Sequence, residues 1–168
     1  MIGCKALPER DYLLSILNYD ESSGQLTWKV RPSQKDKVNS VAGSKSGSYI
    51  KISIKGRKYA AHRVAFFMAK GYCPDEIDHI NGQKTDNRLK NLRDSNRSQN
   101  CLNKGVRSDS FCGVKGVTYR IDNKSWQARC TSKNGRRVHL GYFKKIEDAI
   151  AKLASFRKEE HGEFSNNG

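Results

Sequence analysis

Asp78 and His79 stand side by side in the run Ile77-Asp78-His79-Ile80-Asn81-Gly82, and Asn87, Asn91 and Asn100 follow at short intervals. An acid, an imidazole and several amides in a basic segment point to phosphate chemistry assisted by a hard metal ion. Hydrolysing a phosphodiester needs an activated water, a cation to neutralise developing charge, and relief of the leaving alkoxide. His79 can serve as general base, because an imidazole titrates near neutral pH. Asp78 and Asn100 offer a carboxylate and an amide oxygen. That hard pair suits Mg²⁺, or another divalent cation such as Mn²⁺, better than Zn²⁺, with water and phosphate oxygens completing the shell. Neighbouring strand residues point to opposite sides, which predicts base and metal on opposite sides of the scissile phosphorus. Asn91 is expected to bond the backbone of the long loop and hold His79 in one orientation.

The elements around these residues follow from pattern. Glu76–Ile80 reads as a strand, Asn81-Gly82 as a turn, 83–90 as a polar loop, and Asn91-Leu92-Arg93 as the return strand. Asp94 or Ser95 is expected to cap a short helix running to about Lys104. Upstream, Pro8–Tyr19 reads as a helix with a Leu13, Ile16, Leu17 stripe, and Gln25–Val30 as a strand. Arg31–Gly47 reads as a mobile loop whose Lys35, Lys37 and Lys45 could touch phosphates. Tyr49–Ile54 and Arg57–Ala60 read as an antiparallel pair about Lys55-Gly56. Ala61–Lys70 reads as a helix opened by His62 and Arg63 and ended by Gly71. A histidine at a helix start is more often structural than catalytic.

Composition sets the partner class. The 168 residues carry 32 Lys plus Arg against 17 Asp plus Glu, a formal net charge of +15, which attracts polyanions. Nucleic acid is the leading expected partner and an anionic membrane surface the second; charge alone does not distinguish DNA from RNA, and double-stranded DNA is what the resemblances given below imply. No basic amphipathic helix with a broad apolar face argues for a membrane surface, and no apolar run could span a bilayer. The amino terminus lacks a signal-peptide core, so an intracellular protein is expected. Cys4, Cys73, Cys101, Cys112 and Cys130 show no CxxC spacing and read as reduced, partly buried thiols. No small-molecule substrate is indicated. The absence of a heptad or long apolar seam favours a monomer.

Past a 105–113 linker, three strands are expected at Val114–Ile121, Ser125–Thr131 and Arg136–Phe143, then a helix marked by Ile146, Ala149, Ile150, Leu153 and Phe156. Strict alternation puts Val117, Tyr119, Trp126, Ala128, Cys130, Val138, Leu140 and Tyr142 on one face. Arg120, Gln127, Arg129, Thr131, Arg137 and His139 share the other. Nine Lys and Arg against a single acid, Asp122, lie between Val114 and Lys145. A basic sheet face of this kind suits the DNA major groove. From His161 onward a frayed tail is expected.

The run His62-Arg63, Ile77 to Gly82, Asn87, Asn91-Leu92-Arg93 and Asn100 resembles the HNH endonucleases of the phage and homing type, with their ββα-metal (His-Me finger) fold. The resemblance implies an α+β fold with His79 as base, Asp78 and Asn100 as metal ligands, and Asn91 as the loop clamp. It also implies DNA products with 5′-phosphate and 3′-hydroxyl ends, and fits a phage-encoded protein working in a bacterial cytoplasm. The segment 114–160 resembles the APETALA2-type DNA-binding domain through Gly116-Val117, Ser125-Trp126-Gln127-Ala128 and Val138-His139-Leu140-Gly141-Tyr142-Phe143. That likeness implies DNA contacts from Arg120 and Arg137. His139 stands where that family has Trp and Thr131 where it has Arg, so the recognised sequence should differ. The expected domains are 1–104, with a motif core at 62–104, and 114–160. A regulator that kept the shape without turnover, and an RNA-directed nuclease, remain open readings.

Overall fold

The computed structural model describes residues 7–34, 37–106 and 110–165. Cys4, Lys35, the middle of the expected linker and the last three residues of the expected tail lie outside the described residues. The chain is α+β, with small antiparallel sheets and a few helices. It divides into two compact units, Met1–Ser95 and Asn96–Gly168. The division falls before the helix that carries Asn100, whereas the sequence reading places that helix in the first domain.

In the first unit, helix α1 spans Arg10–Ile16, then strands β1 (Leu17–Tyr19) and β2 (Leu26–Trp28) pair with Leu17 opposite Trp28. The expected helix to Tyr19 therefore stops early. Asp20 supplies the reason. Its carboxylate accepts from the Ser22 N–H and from both serine hydroxyls that follow, closing a tight turn that returns the chain as a hairpin. Strand β3 (Ser44–Ser46) corrects the reading of 31–47 as loop throughout, and it sets Lys45 on a strand beside β4. Strands β4 (Tyr49–Ile54) and β5 (Arg57–Ala60), and helix α2 (Ala61–Lys70), have the predicted bounds.

Helix α2 is buried on two sides. Val64, Ala65 and Met68 join a cluster with Leu13, Leu17, Trp28 and Ile52. Phe66 turns the other way and packs on Ile77 and Leu92. Burying those three side chains stabilises by roughly 1.5–3 kcal/mol each. They dock the hairpin of β6 (Glu76–His79) and β7 (Leu92–Ser95) onto α2, with Asp78 opposite Arg93 and His79 opposite Leu92.

In the second unit, helix α3 spans Arg97–Leu102. Its cap is Asn96, not Asp94 or Ser95, which are spent in β7. The Asn96 side chain accepts from the Gln99 N–H and the Gln99 side chain accepts from the Asn96 N–H, a reciprocal capping box. Strands β8 (Val117–Arg120), β9 (Ser125–Thr131) and β10 (Arg137–Phe143) form a sheet in the order β10-β9-β8. Helix α4 (Ile146–His161) covers one face through Ala149 and Leu153, which pack on Val117, Ala128 and Cys130. One expected stripe position differs: Ile150 is exposed. Arg157, outside the expected stripe, is buried and donates to the Lys115 carbonyl at 2.6 Å.

A β-bulge changes the face assignment. His139 pairs with Arg129 but Gly141 pairs with Ala128, so β10 spends two steps where β9 spends one. Gly141 has φ +129, a conformation that side chains disfavour. Beyond the bulge, Tyr142 faces Gln127 on the outer side and Phe143 faces Trp126 on the core side. Tyr142 thus leaves the apolar face expected for it. The expected frayed tail is also corrected at its start: His161 is buried in α4 with Nε2 2.6 Å from the Thr131 carbonyl, and 162–164 make one 3₁₀ turn. Of the thiols, Cys130 is buried, Cys73 and Cys112 are half-buried, and Cys101 is exposed, contrary to its expected partial burial. Among the described residues no helix is long and apolar enough to cross a membrane.

Candidate active site

The β6–β7 hairpin carries Asp78 and His79 on opposite faces, as strand alternation requires. His79 lies on the side packed against α2 and is 5% exposed. Its ring meets the His62 ring edge-on at 5.0 Å between centroids, and Tyr49 stands 6.3 Å away. Lys84, from the loop after β6, lies over the Tyr49 ring at 5.2 Å. Burial lowers the His79 pKa, against the opposing pull of its bond to Asn87 and the Asp78 and Asp86 carboxylates. A lowered value keeps the imidazole neutral at physiological pH, the form a general base requires.

The loop between the strands is tied at several points. Asn91 Oδ1 accepts from the Asn81 N–H at 3.0 Å, and its Nδ2 donates to the Asp86 carbonyl at 2.8 Å. One buried amide thus spans the loop and fixes the chain immediately after His79. The Asn81 side chain donates to Asp86, whose carboxylate also receives Arg88, holding it well below the usual carboxylate range.

Asn87 belongs to the motif run, and its place beside His79 emerges only in the fold. It is buried, and its Oδ1 lies 3.3 Å from His79 Nε2. The Tyr19 hydroxyl donates to the Asn87 carbonyl at 2.7 Å, so β1 supports the loop. Gly24 does so sterically: at φ +77, a Cβ there would sit 2.4 Å from the Arg88 nitrogen and 2.5 Å from the Asn87 carbonyl carbon. Gly24→Ala should destabilise the fold by about 2–3 kcal/mol and displace Asn87 from His79. Thermal melting checks the first effect, and a melt like that of wild type would contradict it. A cleft of about 470 Å³ beside this loop is lined by Gly24, Lys45, Thr85 and Asn87.

His62, expected to be structural, is the closer surprise. It is buried, its Nδ1 has no hydrogen-bond partner among the described residues, and burial, His79 and Arg63 lower its pKa to about 3. Below its ordinary value of 6.5 the unfolded chain takes up a proton that the folded chain refuses. Stability is therefore full above pH 6.5 and falls as pH drops through the window down to about 3. His62 should cost the fold on the order of 2 kcal/mol between pH 7 and pH 5, and His62→Phe should flatten that slope. Urea midpoints at the two pH values measure it. Equal slopes in both proteins would contradict the assignment.

Asp78 is 4% exposed and accepts from Arg93 Nε and Nη2 through Oδ2, at 2.8 and 2.6 Å. This cross-strand ion pair follows from register, which sets Asp78 and Arg93 opposite each other. Asn100 lies on α3 in the second unit, its N–H bonded to the Asn96 carbonyl. No group of three or more His, Cys, Asp or Glu that could hold a metal occurs among the described residues. The donor types at Asp78 and Asn100 are still those of a hard ion such as Mg²⁺, which takes few protein ligands and keeps water.

The other predicted residues lie on the second unit's sheet. Arg129, His139 and Arg137 are exposed on the face away from α4, and Arg120 there bonds Asp122 at 3.2 Å in an exposed pair. Gln127 shares the face but is buried, its amide donating to the Tyr142 hydroxyl at 2.9 Å.

The β6–β7 hairpin, its tied loop and the following helix fall within residues 59–102, which match the sequence model of the HNH endonuclease family. A match of this kind suggests nuclease activity. The chain is also 27% identical over 96 residues to protein 3.8 of Escherichia phage T7, covering 57% of this chain and 75% of that protein. No solved structure matches the chain.

Proposed function

We propose that the protein is a metal-dependent DNA endonuclease of the HNH type, in which β6, β7 and α3 supply a ββα-metal motif. The observation that carries the reading is His79: a buried imidazole with a lowered pKa, hydrogen-bonded to Asn87, on a hairpin whose loop Asn91 ties. His79 takes the proton from the attacking water. Asn87 and Asn91 are positioning residues that hold the ring and the loop. Asp78 and Asn100 would hold Mg²⁺ or Mn²⁺, which supplies charge neutralisation at the phosphate when bound. Lys84 and Lys45 add positive charge for the nucleic-acid backbone.

The second unit is the docking module in this reading, an APETALA2-like sheet presenting Arg120, Arg129, Arg137 and His139 to double-stranded DNA. A single motif per chain favours nicking by a monomer. The similarity to a phage protein supports a working place inside an infected bacterial cell. One observation favours a second reading, a DNA-binding protein without turnover: the Arg93 guanidinium already neutralises Asp78, as it would in a metal site that had lapsed. Plasmid cleavage with and without Mg²⁺, wild type beside His79→Ala, separates the two.

A further inference from the structure

The outer face of the β8–β9–β10 sheet is ordered in rows by its register. Arg120 and Ser125 make one row, Thr118, Gln127 and Tyr142 the next, and Arg129 with His139, then Thr131 with Arg137, the rows beyond. Cations therefore bracket the row that holds Tyr142. That ring is 51% exposed, whereas the Gln127 beneath it is 3% exposed. The Gln127 amide donates to the Tyr142 hydroxyl at 2.9 Å, which occupies an acceptor position on that oxygen and leaves the hydroxyl proton to be offered outward. The His139 ring, 4.7 Å from the Tyr142 ring and tilted by 56°, limits where the tyrosine can swing.

We propose that Tyr142 is a specificity-determining residue of the sheet, donating its hydroxyl proton to an acceptor on a base edge of double-stranded DNA, with Gln127 and His139 as positioning residues. The inference rests on the reading of this sheet as the DNA-docking face. Arginines at both ends of the face are suited to phosphates, and the row between them is left to the groove floor, where N7, O6 and O4 atoms accept hydrogen bonds. The tilted packing of the two rings presents no flat platform for an unpaired base, which favours duplex over single strands.

The test uses the full chain in EDTA, with 30-base-pair duplexes carrying a randomised core. Sequences enriched by wild type are identified, and affinities are then measured for an enriched duplex and for the unselected pool. Tyr142→Phe keeps the ring and removes the donor. It should bind the enriched duplex about fivefold more weakly, bind the unselected pool as wild type does, and lose preference at one base pair in a repeat selection. Gln127→Leu should relax the same base pair. An unchanged preference, or an equal loss on both DNAs, overturns the proposal, the latter because it marks a phosphate contact. Arg129→Ala with Arg137→Ala tests the underlying reading separately. Weakened binding with a reduced salt slope keeps the sheet as the docking face even if Tyr142 fails. Unchanged binding removes both the docking face and the proposal.

Discussion

Replacing His79 with alanine should lower the rate of DNA cleavage by roughly 10²–10⁴-fold and leave DNA affinity unchanged. The loss follows from position. The imidazole is buried against α2, bonded to Asn87, and flanked by His62 and Tyr49, so alanine leaves no neighbouring group of the right basicity in its place. The pH profile carries the same assignment. A general base works deprotonated, so the wild-type rate should rise with pH through the His79 pKa. Burial lowers that value below the ordinary 6.5, so the rate should already be level at neutrality. The residual activity of His79→Ala should lack the acidic limb. A limb at the same pH in both proteins would assign it to another group.

Asp78→Asn should have the second largest effect. It keeps the side-chain shape and a hydrogen-bond acceptor for Arg93 but removes the negative charge. If Asp78 holds the ion, the substitution should raise the Mg²⁺ concentration for half-maximal cleavage. It should also cost on the order of 10³ in rate, since metal stabilisation of the transition state amounts to several kcal/mol. Truncation is a poorer test. Asp78→Ala also removes the buried carboxylate that accepts from Arg93, and so mixes a loss of stability with any loss of metal. Metal titrations of cleavage together with melting curves distinguish the causes. A rate loss with unchanged Mg²⁺ dependence would remove Asp78 from the metal and leave it as the partner of Arg93.

The parts of this fold that were legible in the sequence are those set by local pattern. Alternation gave β4, the Lys55-Gly56 turn gave β5, and the Val64, Ala65, Met68 stripe with Gly71 gave α2. The Asp-His pair stood out by residue type alone, and the structure places the two on opposite faces of one strand as alternation requires. Features set by contacts between distant residues were hidden. Leu17–Tyr19 continues a helical stripe equally well, and it is the Asp20 turn together with pairing to Leu26–Trp28 that makes it a strand. Tyr142 obeys alternation on paper, and one extra residue at the His139–Gly141 bulge moves it to the other face. Asn87 and His62 stand in the motif run, but their closeness to His79 depends on Tyr19, on Gly24 and on how α2 seats, which spacing alone does not specify. The buried Arg157 and His161 are hidden for a related reason: their partners, the Lys115 and Thr131 carbonyls, are backbone atoms with no sequence signature.

The measurement closest to the central claim is conversion of supercoiled plasmid to nicked circles by the purified full chain. Wild type and His79→Ala are compared at matched concentration, each with Mg²⁺, with Mn²⁺ and with EDTA. A metal-dependent nuclease with His79 as its base predicts nicked circles from wild type in either metal, none in EDTA, and almost none from the variant. Equal nicking by the two proteins, or none by wild type in either metal while it still binds the plasmid, would contradict the account.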